Sequence, residues 1–116
     1  MTDRSLRGAA ALVGVADAVS PTGELDLHGR ALEAAVAREA LADAGLTIAD
    51  VDGVCYAGMA PGMAEYLAVR PRYLDGTMVG GSSYELHVEH AAAAIATGLC
   101  EVVLGIYAAT PRSDRR

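Results

Sequence analysis

Residues Val79-Gly80-Gly81-Ser82-Ser83-Tyr84-Glu85 follow a short β-type run and open a long alanine-rich helix. A glycine pair between a strand and a helix start is a place where backbone can do chemistry. The first-turn N–H groups of the helix lack internal acceptors, and the helix dipole favours negative charge beside them. The glycines let a ligand approach the main chain closely. Gly80, Gly81, Ser82 and Ser83 are therefore the candidate substrate-binding residues, an oxyanion or thioester-carbonyl pocket made of N–H groups. No Cys or His stands at the turn itself, so the elbow lacks an evident nucleophile. The plainer alternative is a strand-to-helix turn with a serine cap. Ser82-Ser83-Tyr84-Glu85 fits a capping box, with Glu85 at the return position.

Other chemistry-bearing residues are few. His87 and His90 lie three apart on the elbow helix and could face one ligand; the default for each is a packed or surface imidazole. His28, near the start of the first long helix, reads as a surface or capping residue. Cys55 falls in a strand and Cys100 just before one, and neither has a visible activating partner, so both read as small buried hydrophobes. No CxxC or HExxH spacing occurs, and no metal site is expected. The stretch Val13-Gly14-Val15-Ala16-Asp17 follows an apolar run but lacks the GxGxxG pattern of a dinucleotide site.

The elements that would position the elbow follow from pattern. The apolar run 9–15 reads as a buried first strand. Leu32, Ala35, Val36 and Ala40, widened by Leu41 and Ala44, predict the inner face of a helix over 27–44. Arg30, Glu33, Arg38 and Asp43 are then left mainly for solvent, and Gly45 stops the helix. Residues 47–50 predict one capped turn, and 51–57 a second strand. Residues 58–75 are irregular, with a short helix possible over 63–69. Thr77, Met78 and Val79 predict a third strand. The elbow helix runs from Ser82 or Ser83 to Gly98, with Leu86, His90, Ala93 and Ala94 inward, and residues 101–107 form a fourth strand. The order β-α-β-(α)-β-α-β predicts an α/β fold with a mostly parallel sheet and helices on its faces.

The bulk composition bounds the rest. One hundred and sixteen residues suffice for one domain with a real core. The chain is 53% hydrophobic without Trp or Phe, so that core is built from Ala, Val, Leu and Ile. A net charge of -6 argues against non-specific nucleic-acid binding. Arg112, Arg115 and Arg116 make the only basic cluster, which reads as a solvated end. No signal-type stretch precedes Gly8 and no run reaches the roughly 18 apolar residues of a membrane span. A cytoplasmic protein with reduced thiols is the expectation.

Residues 79–105 resemble the nucleophile segment of the thiolase superfamily. In that segment a strand ends in a Cys-Ala-Ser-Gly turn, runs through an alanine-rich helix and enters a strand after an acidic residue. Ala91-Ala92, Ile95, Gly98 and Glu101 match it in place, and residues 41–46 and 51–54 are similar to the family's first helix and second strand. The likeness is greatest to the lipid-transfer-protein branch, related to sterol carrier protein X. It implies a thiolase-like α/β/α layered half-domain across 1–116, with sheet order 3-2-1-4 and incomplete at the C-terminus. It also implies a coenzyme A thioester as substrate with no bound cofactor, and a homodimer paired through Thr77, Met78 and Val79. In some members a small partner protein takes part.

With Ile95 and Gly98 aligned, the family's nucleophilic cysteine falls on Gly81, which cannot form an acyl-enzyme. Ser82, next in line, is a weak substitute without a base. The expected activity is therefore not ordinary acyl transfer but a retro-aldol or lipid-transfer variant. The alternatives are a non-catalytic acyl-CoA-binding or dimerisation module and an inactive fragment.

Overall fold

Glycine ends the first helix where the sequence says it should. Gly45 takes a left-handed conformation, φ 75°, after α1 (Gly29–Ala44). Its N–H and that of Leu46 close back on the carbonyls of Ala42 and Leu41 at 3.1 and 2.8 Å, the paired closure of a Schellman motif. Thr47 and Asp50 then cap a single 3₁₀ turn, Ile48–Asp50, reciprocally. The computed structural model describes residues 5–109. The remaining elements are β1 (Gly53–Cys55), α2 (Ala60–Tyr66), β2 (Tyr73–Asp75), α3 (Ser83–Ala96) and β3 (Val103–Gly105).

The three strands form one parallel sheet in the order β2-β1-β3. Val54 stands in register with Leu74 and Leu104, and Cys55 with Asp75 and Gly105. Alternation sends these two rows to opposite faces. Val54 and Leu104 join Ala34, Ala37 and Leu41 of α1 and Met63 and Ala64 of α2 in the main core. Cys55 faces the other way, where its thiol lies 3.9 Å from the His87 carbonyl of α3. The result is an α/β domain with α1 and α2 on one face of the sheet and α3 on the other. Among the described residues no helix is long and apolar enough to cross a membrane.

Several expectations are corrected. Residues 9–15 form no strand, and Leu12 is 84% exposed. The segment lies on α1, where the Val15 N–H donates to Asp43 Oδ2 at 3.0 Å. The expected order 3-2-1-4 fails with it, because β3 takes the place beside β1 directly. An apolar run has no face preference of its own, and a ladder is chosen by distant partners. The stripe on α1 is rotated as well: Glu33 is buried, and the Tyr56 hydroxyl donates to it. In an alanine-rich helix every face is mildly apolar, so the pattern does not select one. On α3 the buried positions are Ser83, His87 and Ala94, while Leu86, His90 and Ala93 are half-buried.

Thr77, Met78 and Val79 lie outside the sheet; the third strand in space is β2, four residues earlier. The reason is local. β1 and β2 stay paired through the Tyr56 N–H to Asp75 carbonyl bond at 2.9 Å and the Gly58 N–H to Gly76 carbonyl bond at 3.0 Å. The two chains pass so closely that a Cβ on Gly76 would stand 2.5 Å from the Gly58 oxygen. Beyond that crossing the backbone of 77–79 has side chains for partners within this chain.

Candidate functional site

The carboxyl ends of parallel strands are where α/β folds hold ligands. Here that edge carries Tyr56 after β1, Thr77 after β2, Tyr107 after β3 and the N-terminus of α3. Tyr84 of α3 packs against the Tyr107 ring at 4.7 Å and meets the His87 ring edge-on at 5.6 Å. Burial, then the neighbouring Tyr107 and Glu33, push the Tyr84 phenol up. Tyr56 is pushed up to about 12, first by its bond to Glu33 and then by burial, so its hydroxyl stays a donor.

The predicted elbow is present and open. Gly80 turns the chain with φ 85°, and a Cβ on Gly80 or Gly81 would meet nothing within 4 Å. Gly80, Gly81 and Ser82 are exposed. Gly81 has no positive φ, so neither space nor backbone requires a glycine there. A thiol-bearing side chain would fit, and the chain does without it. The expected capping box is not formed. Ser82 sits at the N-cap position and makes no side-chain cap bond. This leaves first-turn amides of α3 without a side-chain acceptor. Glu85, also in the first turn, faces solvent and complements the dipole.

Ser83 does different work. It is fully buried, accepts the Val79 N–H at 2.9 Å and donates to the Gly80 carbonyl at 2.7 Å. Its hydroxyl proton is therefore committed to holding the turn shut. Of the predicted binding residues, three line the surface of the elbow and Ser83 supports it from beneath.

Both helix histidines are tied to the exit of β2. His87, 3% exposed, donates from Nε2 to the Thr77 carbonyl at 2.9 Å. His90 donates from Nδ1 to Asp75 Oδ2 at 2.7 Å. Asp75 Oδ1 accepts the Thr77 N–H at 3.0 Å and the Thr77 hydroxyl at 2.6 Å. Burial raises the Asp75 carboxyl, but the Thr77 and His90 bonds outweigh it and hold the group below the usual 3.8. The sequence flagged the histidine pair by spacing; it missed Asp75. The available signal was Asp75-Gly76-Thr77, a turn in which a carboxylate reaches its own backbone two residues on.

The cysteines are free and buried, as expected of small hydrophobes. Burial first, then Asp75 and Cys100, push the Cys55 thiol up to about 12, so it stays protonated. Burial likewise raises Cys100. Neither supplies the missing thiolate. His28 occupies the N-cap position of α1.

The fold and this edge define an α/β domain with an exposed glycine turn at a helix N-terminus and two buried, protonated thiols. No protein-family model matches the chain. It is 34% identical over 123 residues to the 17-hydroxy-3-oxo-4-pregnene-20-carboxyl-CoA lyase of Mycobacterium tuberculosis, a match covering 96% of this chain and 30% of that enzyme. It is also similar to the solved Ltp2-ChsH2(DUF35) aldolase, with a TM-score of 0.75 and 27% sequence identity over 89% of this chain and 28% of that one. The chain thus spans less than a third of the length of either relative. Its relatives are a lyase named for a CoA thioester and an aldolase.

Proposed function

We propose that this chain carries the thioester-binding elbow of a retro-aldol carbon–carbon lyase acting on β-hydroxyacyl-CoA. The observation that carries the reading is an open Gly80-Gly81 turn at a helix N-terminus that holds no cysteine, while both cysteines of the chain are buried. Thiolysis needs a nucleophile that becomes acylated. A retro-aldol step does not. A base removes the β-hydroxyl proton, the bond between the α and β carbons breaks to leave a carbonyl compound, and its electron pair moves onto the thioester as an enolate that then takes a proton at the α carbon. That oxygen gains charge as the reaction proceeds, and preorganised N–H donors stabilise it. The likeness to a CoA lyase and to an aldolase supports this choice over acyl transfer. So does the resemblance to the thiolase superfamily, whose cysteine falls on Gly81.

Partners follow as part of the same proposal. Met78 and Val79 are 65% and 54% exposed on a segment outside the sheet, which suits pairing with the same segment of a second copy. The aldolase relative is named as a complex of two components, which supports a small partner protein here. The free thiols suit a reducing, cytoplasmic setting. A second reading, a non-catalytic acyl-CoA-binding module, is favoured by the burial of Ser83, His87 and Cys55.

The test offers the chain, alone and with a candidate second component, a β-hydroxyacyl-CoA or a β-ketoacyl-CoA plus free CoA. The expected products are a shortened acyl-CoA and a carbonyl compound from the first substrate, with no acyl-enzyme by mass spectrometry. Thiolysis with an acyl group on residues 77–83 would overturn the proposal. Binding without turnover would select the second reading.

A further inference from the structure

Residues 75–83 pose an accounting problem. The segment leaves the sheet at Asp75 and has no ladder, yet buried polar groups must still be paired. Side chains meet the need. Thr77 alone is held at its N–H, its hydroxyl and its carbonyl, by Asp75 twice and by His87. Asp75 is in turn gripped by His90, and Ser83, four residues on from Val79, accepts the Val79 N–H and donates to the Gly80 carbonyl. His87 and His90 are three apart, so one face of α3 reaches both ends of the 75–77 turn.

This arrangement is costly as mere packing. A carbonyl can only accept, so His87 Nε2 carries a proton, and Nδ1 is left as a polar atom that needs a partner of its own. That Nδ1 is buried and has no partner. Leucine at 87 would dock α3 on the sheet without stranding a nitrogen, and an unsatisfied buried polar atom is normally avoided. What leucine would not do is fix the height of the Thr77 carbonyl, and through it the start of the elbow.

We propose that Asp75, His87 and His90 are positioning residues for the elbow: the two imidazoles clasp the 75–77 turn and so set where the Gly80–Ser83 backbone meets a thioester oxygen. The inference rests on the proposed acyl-thioester pocket for its purpose. The clasp itself stands on the hydrogen-bond geometry of Asp75, Thr77 and the two rings.

The donor positions make a discriminating test. An asparagine amide stands near the place of Nδ1, and a glutamine amide near that of Nε2. The matched double variant, His87→Gln with His90→Asn, keeps both donors in place. The swapped variant, His87→Asn with His90→Gln, keeps composition and misplaces both. The probe is an S-alkyl-CoA thioether, titrated calorimetrically against the whole chain. Amide spectra of Gly80, Gly81 and Ser82 and the ring-nitrogen spectra of both histidines are recorded in parallel. The rings should show Nε2–H at His87 and Nδ1–H at His90. The matched variant should bind within about threefold of the parent and the swapped one at least about tenfold more weakly, the scale of one hydrogen bond to a charged group. Its elbow amides should move while thermal melts show both variants folded. Matched and swapped variants with equal affinity and unmoved elbow amides would overturn the clasp. If the parent itself fails to bind the thioether, the pocket reading falls, and the amide shifts and ring tautomers alone decide the clasp. If the swapped variant does not fold, the matched variant decides: parent-like elbow amides uphold the clasp and displaced ones sink it.

Discussion

Two aspartates stand at opposite ends of the sheet, and they are used differently. Asp52, at the amino end, accepts the Glu101 N–H at 3.0 and 3.1 Å and the Val102 N–H at 2.8 Å. Its own carbonyl takes the N–H groups of Arg72 and Tyr73 at 2.7 and 3.2 Å. One residue thereby gathers the entries of all three strands, its carboxylate and its carbonyl both accepting backbone N–H groups; the Arg72 guanidinium, at 4.0 Å, adds little. Asp75, at the carboxyl end, binds a threonine and an imidazole instead. A carboxylate that takes the N–H groups of a neighbouring strand's entry fixes a fold. Pairing through side chains fixes a turn that the fold leaves unsupported, and that turn leads to the open elbow.

The comparison can be broken in graded steps. Gly76→Ala should have the largest effect, because its Cβ would press on the Gly58 carbonyl at 2.5 Å where both chains are backbone. A loss of about 3 kcal/mol in denaturant unfolding is expected. A stability equal to the parent's would mean the crossing has room for a methyl group. Asp52→Ala comes next, at about 2 kcal/mol, since amides at the β3 entry lose their acceptor. The elbow amides should stay where they are in its spectra. The smallest step is acid. The folded Asp75 carboxyl lies below its unfolded value of 3.8, so its contribution is present above that pH and fades as pH falls below it. Melting temperature should therefore drop more steeply below about pH 4 in the parent than in Asp75→Asn. Parallel curves would remove Asp75 from the account.

Much of the helical framework was legible because its determinants are local. Gly45 and Gly98 stop helices by taking positive φ, and Thr47 and Asp50 cap each other within four residues. The start of α3 at Ser83 and the exposed turn before it were read correctly from the glycine pair. Strand pairing was less legible. Tyr73–Asp75 follows Pro71 and contains an aspartate, a poor strand former, so its place at the sheet edge depends on β1 rather than on itself. The run 9–15 has ideal strand composition and no ladder. At the site, histidine spacing was visible, but the bond that ties Asp75 to it was not, because His90 sits fifteen residues on in another element.

Gly14 marks a narrow gap between the N-terminal segment and α1. A Cβ there would collide with the Ala40 carbonyl and with Ala44, while Leu12, Val13 and Val15 on either side point largely into water. Seating of this stretch is thus governed by one missing methyl rather than by its oily neighbours. Evolutionary drift should be generous at 12, 13 and 15 and nearly forbidden between them, a notch one codon wide.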